Sequence, residues 1–151
     1  MWLLAEALRP HLNEPDVFYG GSEDMIGAVR AAVDAGAAPT GAPPRAVAAA
    51  FVSLLSTLAV PVCAPAFLPP RTGDDDISQW AFDMLEILPN SHYNAFVYVI
   101  ALVREVLAKS WQKTGATRLA SVARDAFLPH GDADARARVL AAVEFLLTSN
   151  L

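Results

Sequence analysis

The sequence predicts an all-α protein, a bundle of about seven helices that forms one domain over residues 1–151. Apolar residues recur at helical spacing along most of the chain, without the alternation typical of strands. Alanine, which loses no side-chain entropy in a helix, occupies 29 of the 151 positions. Prolines and glycines fall between the periodic segments, as is typical of helix boundaries.

The composition excludes several classes of protein. Hydrophobic residues make up 54% of the chain and charged residues 18%, the opposite of a disordered chain. The net charge is −5 and the arginines are scattered, so we expect no nucleic-acid partner. The single cysteine, Cys63, cannot form an internal disulfide, and its apolar surroundings predict a buried, inert thiol.

The first helix is predicted at residues 2–12, where leucines recur at helical spacing. This start lacks a basic region and contains Glu6, so a signal peptide is not expected. Residues 13–21 predict a loop. Ser22 suits the N-cap of a second helix, because its hydroxyl can accept a free backbone N–H, and Gly36 suits the end of that helix.

The third helix is predicted at residues 45–58, between two proline-containing loops. Residues 46–70 carry no charge, and a membrane segment is the alternative interpretation. A spanning helix needs about 20 apolar residues. Because prolines recur from Pro61 onward, only residues 46–60 are unbroken, and we expect a buried central helix without a transmembrane segment.

Four more helices are predicted, at residues 77–88, 93–111 and 118–127 and from Asp132 or Asp134 to residue 147. Three aspartates at residues 74–76 suggest a metal site. Because no glycine-containing calcium loop accompanies them, we favour a solvated loop whose last aspartate caps the next helix.

Motifs with known chemistry are scarce. The histidines His11, His92 and His130 lack metal-ligand spacing, and the chain has no phosphate-binding glycine loop, so neither a metal nor a cofactor is expected. Asp83 and Glu86 lie one helical turn apart and could pair as an acid and a base. Such a pair on an amphipathic helix is more typical of a solvated face.

Four segments in order resemble Rho GTPase-activating (RhoGAP) domains. Residues 18–22, Phe-Tyr-Gly-Gly-Ser, resemble the arginine-finger loop of that family. Residues 46–62 end in Leu-Ala-Val-Pro-Val and resemble the helix that closes on Leu-Pro-x-Pro-Leu. Residues 88–89, Leu-Pro, followed by Asn94, resemble the Leu-Pro … Asn-x-x-x-Leu helix, and residues 119–122 resemble a Leu-Ala-x-x-Phe helix start.

Within that family, the chain is similar to the RhoGAP-like domain that ends the inositol polyphosphate 5-phosphatases of the Lowe oculocerebrorenal type. Residues 2–4, 96–107 and 138–147 resemble three helices of that branch. The resemblance implies that the chain is the C-terminal part of a larger phosphatase, whose own catalytic domain lies elsewhere. It also implies a cytoplasmic protein, brought to endosomal or Golgi membranes by its parent.

The resemblance further implies a domain that is not an enzyme. In active members an arginine neutralises charge on the transferred phosphoryl group, which is worth about 10³–10⁵ in rate. That arginine corresponds to Tyr19 here, and a phenol cannot replace a guanidinium. A lysine and an arginine of the family's central helix correspond to Val52 and Ser56, and a later asparagine corresponds to Ala126.

The resemblance implies two partners: a small GTPase of the Rho or Rab family, bound without stimulation, and a helical peptide of an endocytic adaptor that carries a phenylalanine and a histidine. We expect Trp2, Leu3 and Glu6 to line the peptide groove; alternatively, Trp2 packs back onto the bundle. Two further interpretations of the chain are an unrelated helical adaptor domain and an active GTPase activator that uses an arginine from elsewhere, such as Arg30 or Arg45.

Overall fold

The computed structural model describes residues 1–70, 76–110 and 115–149, and this part of the chain is helical, with no strand. The predicted all-α bundle is therefore confirmed. The aspartates at residues 74 and 75 and the predicted end of the fifth helix at residue 111 lie outside the described residues. The helices are α1 (Trp2–Leu8), α2 (Glu23–Asp34), α3 (Pro44–Ser56), α4 (Ile77–Ile87), α5 (Asn90–Ser110), α6 (Ala116–Phe127) and α7 (Ala133–Thr148).

Polar side chains cap three of these helices as the sequence predicts. Ser22, Asp76 and Asp132 each accept a hydrogen bond from a backbone N–H of the following first turn, at 3.4, 3.0 and 2.7 Å. Such bonds satisfy donors that have no partner within the helix. Of the two aspartates proposed to cap the last helix, Asp132 is the cap, and Asp134 lies in the first turn.

Several helix boundaries differ from the predicted ones by one to four residues, and proline is involved in three of these differences. The first α-helix ends at Leu8 and continues as a 3₁₀ turn over Arg9–His11, because Pro10 has no N–H to donate. The third helix begins one residue early at Pro44, since proline suits the first helical position. The fifth begins at Asn90, because the carbonyl of Pro89 accepts an N–H at 2.8 Å and so starts the first turn.

The bundle is centred on α3, which packs against α1, α2 and α6, while α7 packs against α4 and α6. Phe51, Phe96 and Phe127 are almost fully buried, and the ring centroids of Phe96 and Phe127 lie 4.6 Å apart. The proline-rich segment after α3 is joined to α6, because the Cys63 N–H donates to the Phe127 carbonyl at 3.0 Å. As expected, α3 is a central helix of the core.

Two further expectations concern residues 46–70, which carry no charge. Among the described residues, no helix is both long and apolar enough to cross a bilayer, and α3 itself has 13 residues. Cys63 is completely buried, as predicted. Burial raises the pKa of the Cys63 thiol to about 12, so the thiol is protonated at neutral pH.

Candidate functional site

A groove of about 430 Å³ lies between the first helix and the loop that joins α2 to α3. Trp2, Leu3, Glu6 and His11 line one wall of it, and loop residues 38–42 line the other. We call this surface the Trp2 groove. The fold therefore brings together the three residues that the resemblance implied for a peptide groove, and it adds His11 to them.

Trp2 is open to solvent, with 65% of its surface exposed, and so it does not pack back onto the bundle. The helix explains this orientation. Leu4 and Leu8 lie four residues apart on one face of α1 and are buried in the core. Trp2, Leu3 and Glu6 lie on the remaining faces, where they are available to a partner.

The polar groups of the Trp2 groove belong to α1 and the turn after it. The Glu6 carboxylate accepts a hydrogen bond from Arg9 at 3.1 Å through Oε1. His11 Nδ1 lies 2.7 Å from Oε1 of Glu14. The sequence analysis did not assign His11 to this groove, although its spacing of three residues from Glu14 is a signal for such a pair. The groove is thus apolar, with a carboxylate and an imidazole in its helical wall.

A second cleft, of about 460 Å³, lies between the loop at residues 13–21 and helices α2, α3 and α6. Phe18 and Gly20 line it from the loop, and Val52 and Ser56 line it from α3. We call this surface the Tyr19 cleft. Val52 and Ser56 are therefore close to the loop that carries Tyr19. The Ser56 hydroxyl donates to its own helix, to the carbonyl of Ser53 at 3.1 Å.

Tyr19 is half-buried and lies beneath an arginine. The Arg118 guanidinium is 4.1 Å from the centroid of the Tyr19 ring, and it also pairs with Asp16 at 3.3 Å. Burial raises the pKa of Tyr19, and the positive charge of Arg118 opposes part of that rise. The side chain at this position is therefore a neutral phenol at physiological pH.

Ala126 does not lie in the Tyr19 cleft. It is only 1% exposed and belongs to the core, and α6 presents Val122 and Asp125 to the cleft instead. Adjacent residues of a helix point in directions about 100° apart, which separates Asp125 from its neighbour. The Asp125 carboxylate accepts hydrogen bonds from Arg124 and Arg136, each at 2.7 Å. The sequence analysis missed Asp125 because Arg136 reaches it from the next helix.

The two arginines proposed as substitutes for the finger differ in their surroundings. Arg30 is exposed and lines the Tyr19 cleft, and no hydrogen bond or ion pair within the described residues holds it. Arg45 contacts the loop from α3. It donates to the carbonyl of Pro15 at 3.5 Å, and its side chain lies 3.9 Å from where a Cβ at Gly20 would stand. Arg45 therefore supports the loop.

The remaining candidate groups form no recognisable reaction centre. Within residues 1–70, 76–110 and 115–149, no three His, Cys, Asp or Glu side chains are grouped to hold a metal ion. Asp83 accepts a hydrogen bond from Gln79 at 2.7 Å on the surface of α4, and Glu86 is exposed. These carboxylates therefore behave as a solvated helix face.

The described residues therefore form an all-helical domain, and the Trp2 groove and the Tyr19 cleft are two of the open surfaces beside its first three helices. No family model matches the chain, and its sequence matches no curated protein.

Proposed function

We propose that this chain is a non-catalytic, RhoGAP-like interaction domain. It holds a short helical peptide in the Trp2 groove, and it binds a small GTPase of the Rho or Rab family at the Tyr19 cleft without accelerating GTP hydrolysis. The observation that supports this best is the exposed Trp2 side chain, which forms a groove wall with Leu3 and Glu6. In this proposal a larger cytoplasmic phosphatase carries the domain on endosomal or Golgi membranes.

The Trp2 groove suits an amphipathic helix that carries a phenylalanine. Trp2 and Leu3 offer an apolar wall, and aromatic anchors in such grooves supply much of the binding energy. A histidine on the peptide needs an acceptor. Glu6 bonds Arg9 through Oε1, and its Oε2 is the acceptor that we assign to that histidine.

The character of the Tyr19 cleft supports binding without catalysis. Activation of a GTPase needs a cation at the charge that develops on the phosphoryl group. The loop offers the neutral phenol of Tyr19, covered by Arg118, and α3 offers Val52 and Ser56. A GTPase can contact these groups, but none of the three supplies a positive charge to its active site.

Replacing Trp2 tests the peptide site. With a labelled helical peptide that contains one phenylalanine and one histidine, Trp2→Ala should raise the dissociation constant roughly 30-fold, or about 2 kcal/mol. Tyr93→Ala is the matched control, since Tyr93 is an aromatic residue on α5 that is 40% exposed. Fluorescence anisotropy measures both. Equal affinities for Trp2→Ala and the parent domain would contradict the assignment.

A double-mutant cycle tests whether Glu6 accepts a hydrogen bond from the peptide histidine. Glu6→Gln should weaken the peptide that carries histidine, because a charge-assisted hydrogen bond is lost. The same substitution should leave a peptide with alanine in place of histidine unaffected. If Glu6→Gln weakens both peptides equally, Glu6 is not the acceptor of the histidine.

Arg30 favours a second candidate function, a working GTPase activator. It is an exposed guanidinium without a partner among the described residues, and it lines the same cleft as Phe18 and Gly20. A GTP-hydrolysis assay distinguishes this candidate from the proposal, since only an activator shortens the lifetime of bound GTP.

A further inference from the structure

The loop at residues 13–21 is joined to α6 by the exposed side chain of Arg118, and Val17 of the same loop is buried in the core. Arg118 Nη1 lies 3.3 Å from the Asp16 carboxylate, and the guanidinium lies 4.1 Å from the Tyr19 ring centroid. Arg118 follows Asp16 by 102 positions in the sequence, so this contact joins two distant segments of the chain. From the other side, Arg45 holds the loop through the carbonyl of Pro15.

The loop conformation that these contacts hold contains two unfavourable features. Asp16 has a φ of +56°, in the left-handed region, which aspartate adopts more readily than most residues but less favourably than glycine. The Tyr19 hydroxyl is buried without a hydrogen bond of normal geometry, and an unsatisfied buried polar group is also unfavourable. Movement of the loop away from α6 would let water reach the Tyr19 hydroxyl and would leave Asp16 free to change its conformation, whereas the contacts of Arg118 oppose that movement.

Arg118 is placed where such a movement would change the Tyr19 cleft. The loop forms one wall of this cleft through Phe18 and Gly20, and α6 contributes Val122, one helical turn after Arg118. The Arg118 side chain is 55% exposed, so its contacts are accessible to solvent and weak enough to exchange. Separation of the loop from α6 would widen the cleft between them.

We propose that Arg118 is a latch, which holds the loop at residues 13–21 against α6, where the loop forms one wall of the Tyr19 cleft, and releases it when its contacts with Asp16 and Tyr19 break. The open form exposes the Tyr19 hydroxyl to water and relaxes Asp16. This property goes beyond the proposed function, because it belongs to the isolated domain and requires no partner.

Hydrogen exchange of the intact chain tests the latch. Arg118→Ala should accelerate amide exchange in residues 13–21 about tenfold, the effect of losing one exposed ion pair and one cation–π contact together. Exchange in α7 should be unchanged. Arg30→Ala is the matched control, because it also removes one positive charge, at the cleft that the loop borders, without touching either contact of Arg118, and it should leave the loop's exchange as in the parent.

Two further variants separate the contributions to the latch. Arg118→Lys keeps a charge for Asp16 but loses the planar stack on Tyr19, and loop exchange should fall between that of the parent and of Arg118→Ala. Tyr19→Phe keeps the ring and removes the unsatisfied hydroxyl, and it should slow the exchange. Unchanged loop exchange in Arg118→Ala, equal acceleration by Arg30→Ala, or acceleration spread over the whole chain would each overturn the proposal.

Discussion

Folding strongly changes the ionisation of Cys63. The thiol is completely buried in the proline-rich segment after α3, and burial raises its pKa from 9.0 to about 12. Because the folded-state pKa is the higher one, the folded protein keeps a proton that the unfolded chain releases first. The stability that depends on this thiol is complete below pH 9.0 and is lost as the pH rises towards 12.

This shift predicts an alkaline loss of stability that depends on Cys63. Between pH 9 and pH 12 the thiol should lower the free energy of unfolding by up to about 1.4 kcal/mol per pH unit. Cys63→Ala should have a flatter profile over that range. Denaturant titrations of both proteins at several pH values measure the difference. Parallel profiles would show that the Cys63 proton is not linked to folding.

Phe127 should be among the most costly core residues to truncate. Its ring is fully buried and packs against Phe96, so Phe127→Ala should lower the free energy of unfolding by about 3–5 kcal/mol. Phe82→Ala is the matched control, because Phe82 is 39% exposed and loses less buried surface. Denaturant unfolding of the two variants measures both effects. A smaller loss for Phe127→Ala than for Phe82→Ala would contradict this description of the core.

At the scale of helices, the cap of α7 is a separate contribution to stability. The Asp132 carboxylate accepts the Ala135 N–H at 2.7 Å at the start of the helix that packs against α4 and α6. Asp132→Ala should therefore lower the free energy of unfolding by about 1 kcal/mol. Asp132→Asn keeps an acceptor and should keep most of that energy. Thermal unfolding measures both variants. If both lose the same free energy of unfolding, the hydrogen bond that Asp132 accepts does not stabilise α7.

The presence of the helices could be predicted from the sequence because apolar spacing and capping residues are local signals. Ser22, Asp76 and Asp132 occupy the expected caps. The boundaries near Pro10 and Pro89 could not be placed as well, since a 3₁₀ turn and an early first turn depend on which carbonyls accept hydrogen bonds.

Only one wall of the Trp2 groove, the wall that belongs to α1, could be predicted from the sequence. The resemblance assigned Trp2, Leu3 and Glu6 of α1 to a groove, but no local pattern predicts that loop residues 38–42 lie opposite them. The contact of Arg118 with Asp16 likewise depends on how distant segments meet in the folded chain.

At the scale of the whole molecule, three arginines lie around the loop at residues 13–21, and each has different contacts. Arg118 covers Tyr19, Arg45 holds the backbone at Pro15, and Arg30 lines the cleft. An arginine finger must enter the active site of the partner GTPase from a loop that projects towards it. Arg118 and Arg45 are already bound to the loop itself. Of these three arginines, Arg30 is therefore the one that could reach the active site of a GTPase.

We therefore expect the intact domain to leave GTP hydrolysis by Rho-family GTPases unchanged, measured as phosphate release under single-turnover conditions with an arginine-finger domain as the positive control. Tyr19→Arg should not restore activity, because the new guanidinium would meet the like charge of Arg118, and Val52 and Ser56 offer it no polar support. Stimulation of about a hundredfold by the parent domain would contradict the non-catalytic proposal. Loss of that stimulation in Arg30→Ala, with retention in Arg45→Ala, would then assign the catalytic cation to α2, since Arg30 is the guanidinium that this helix contributes to the cleft.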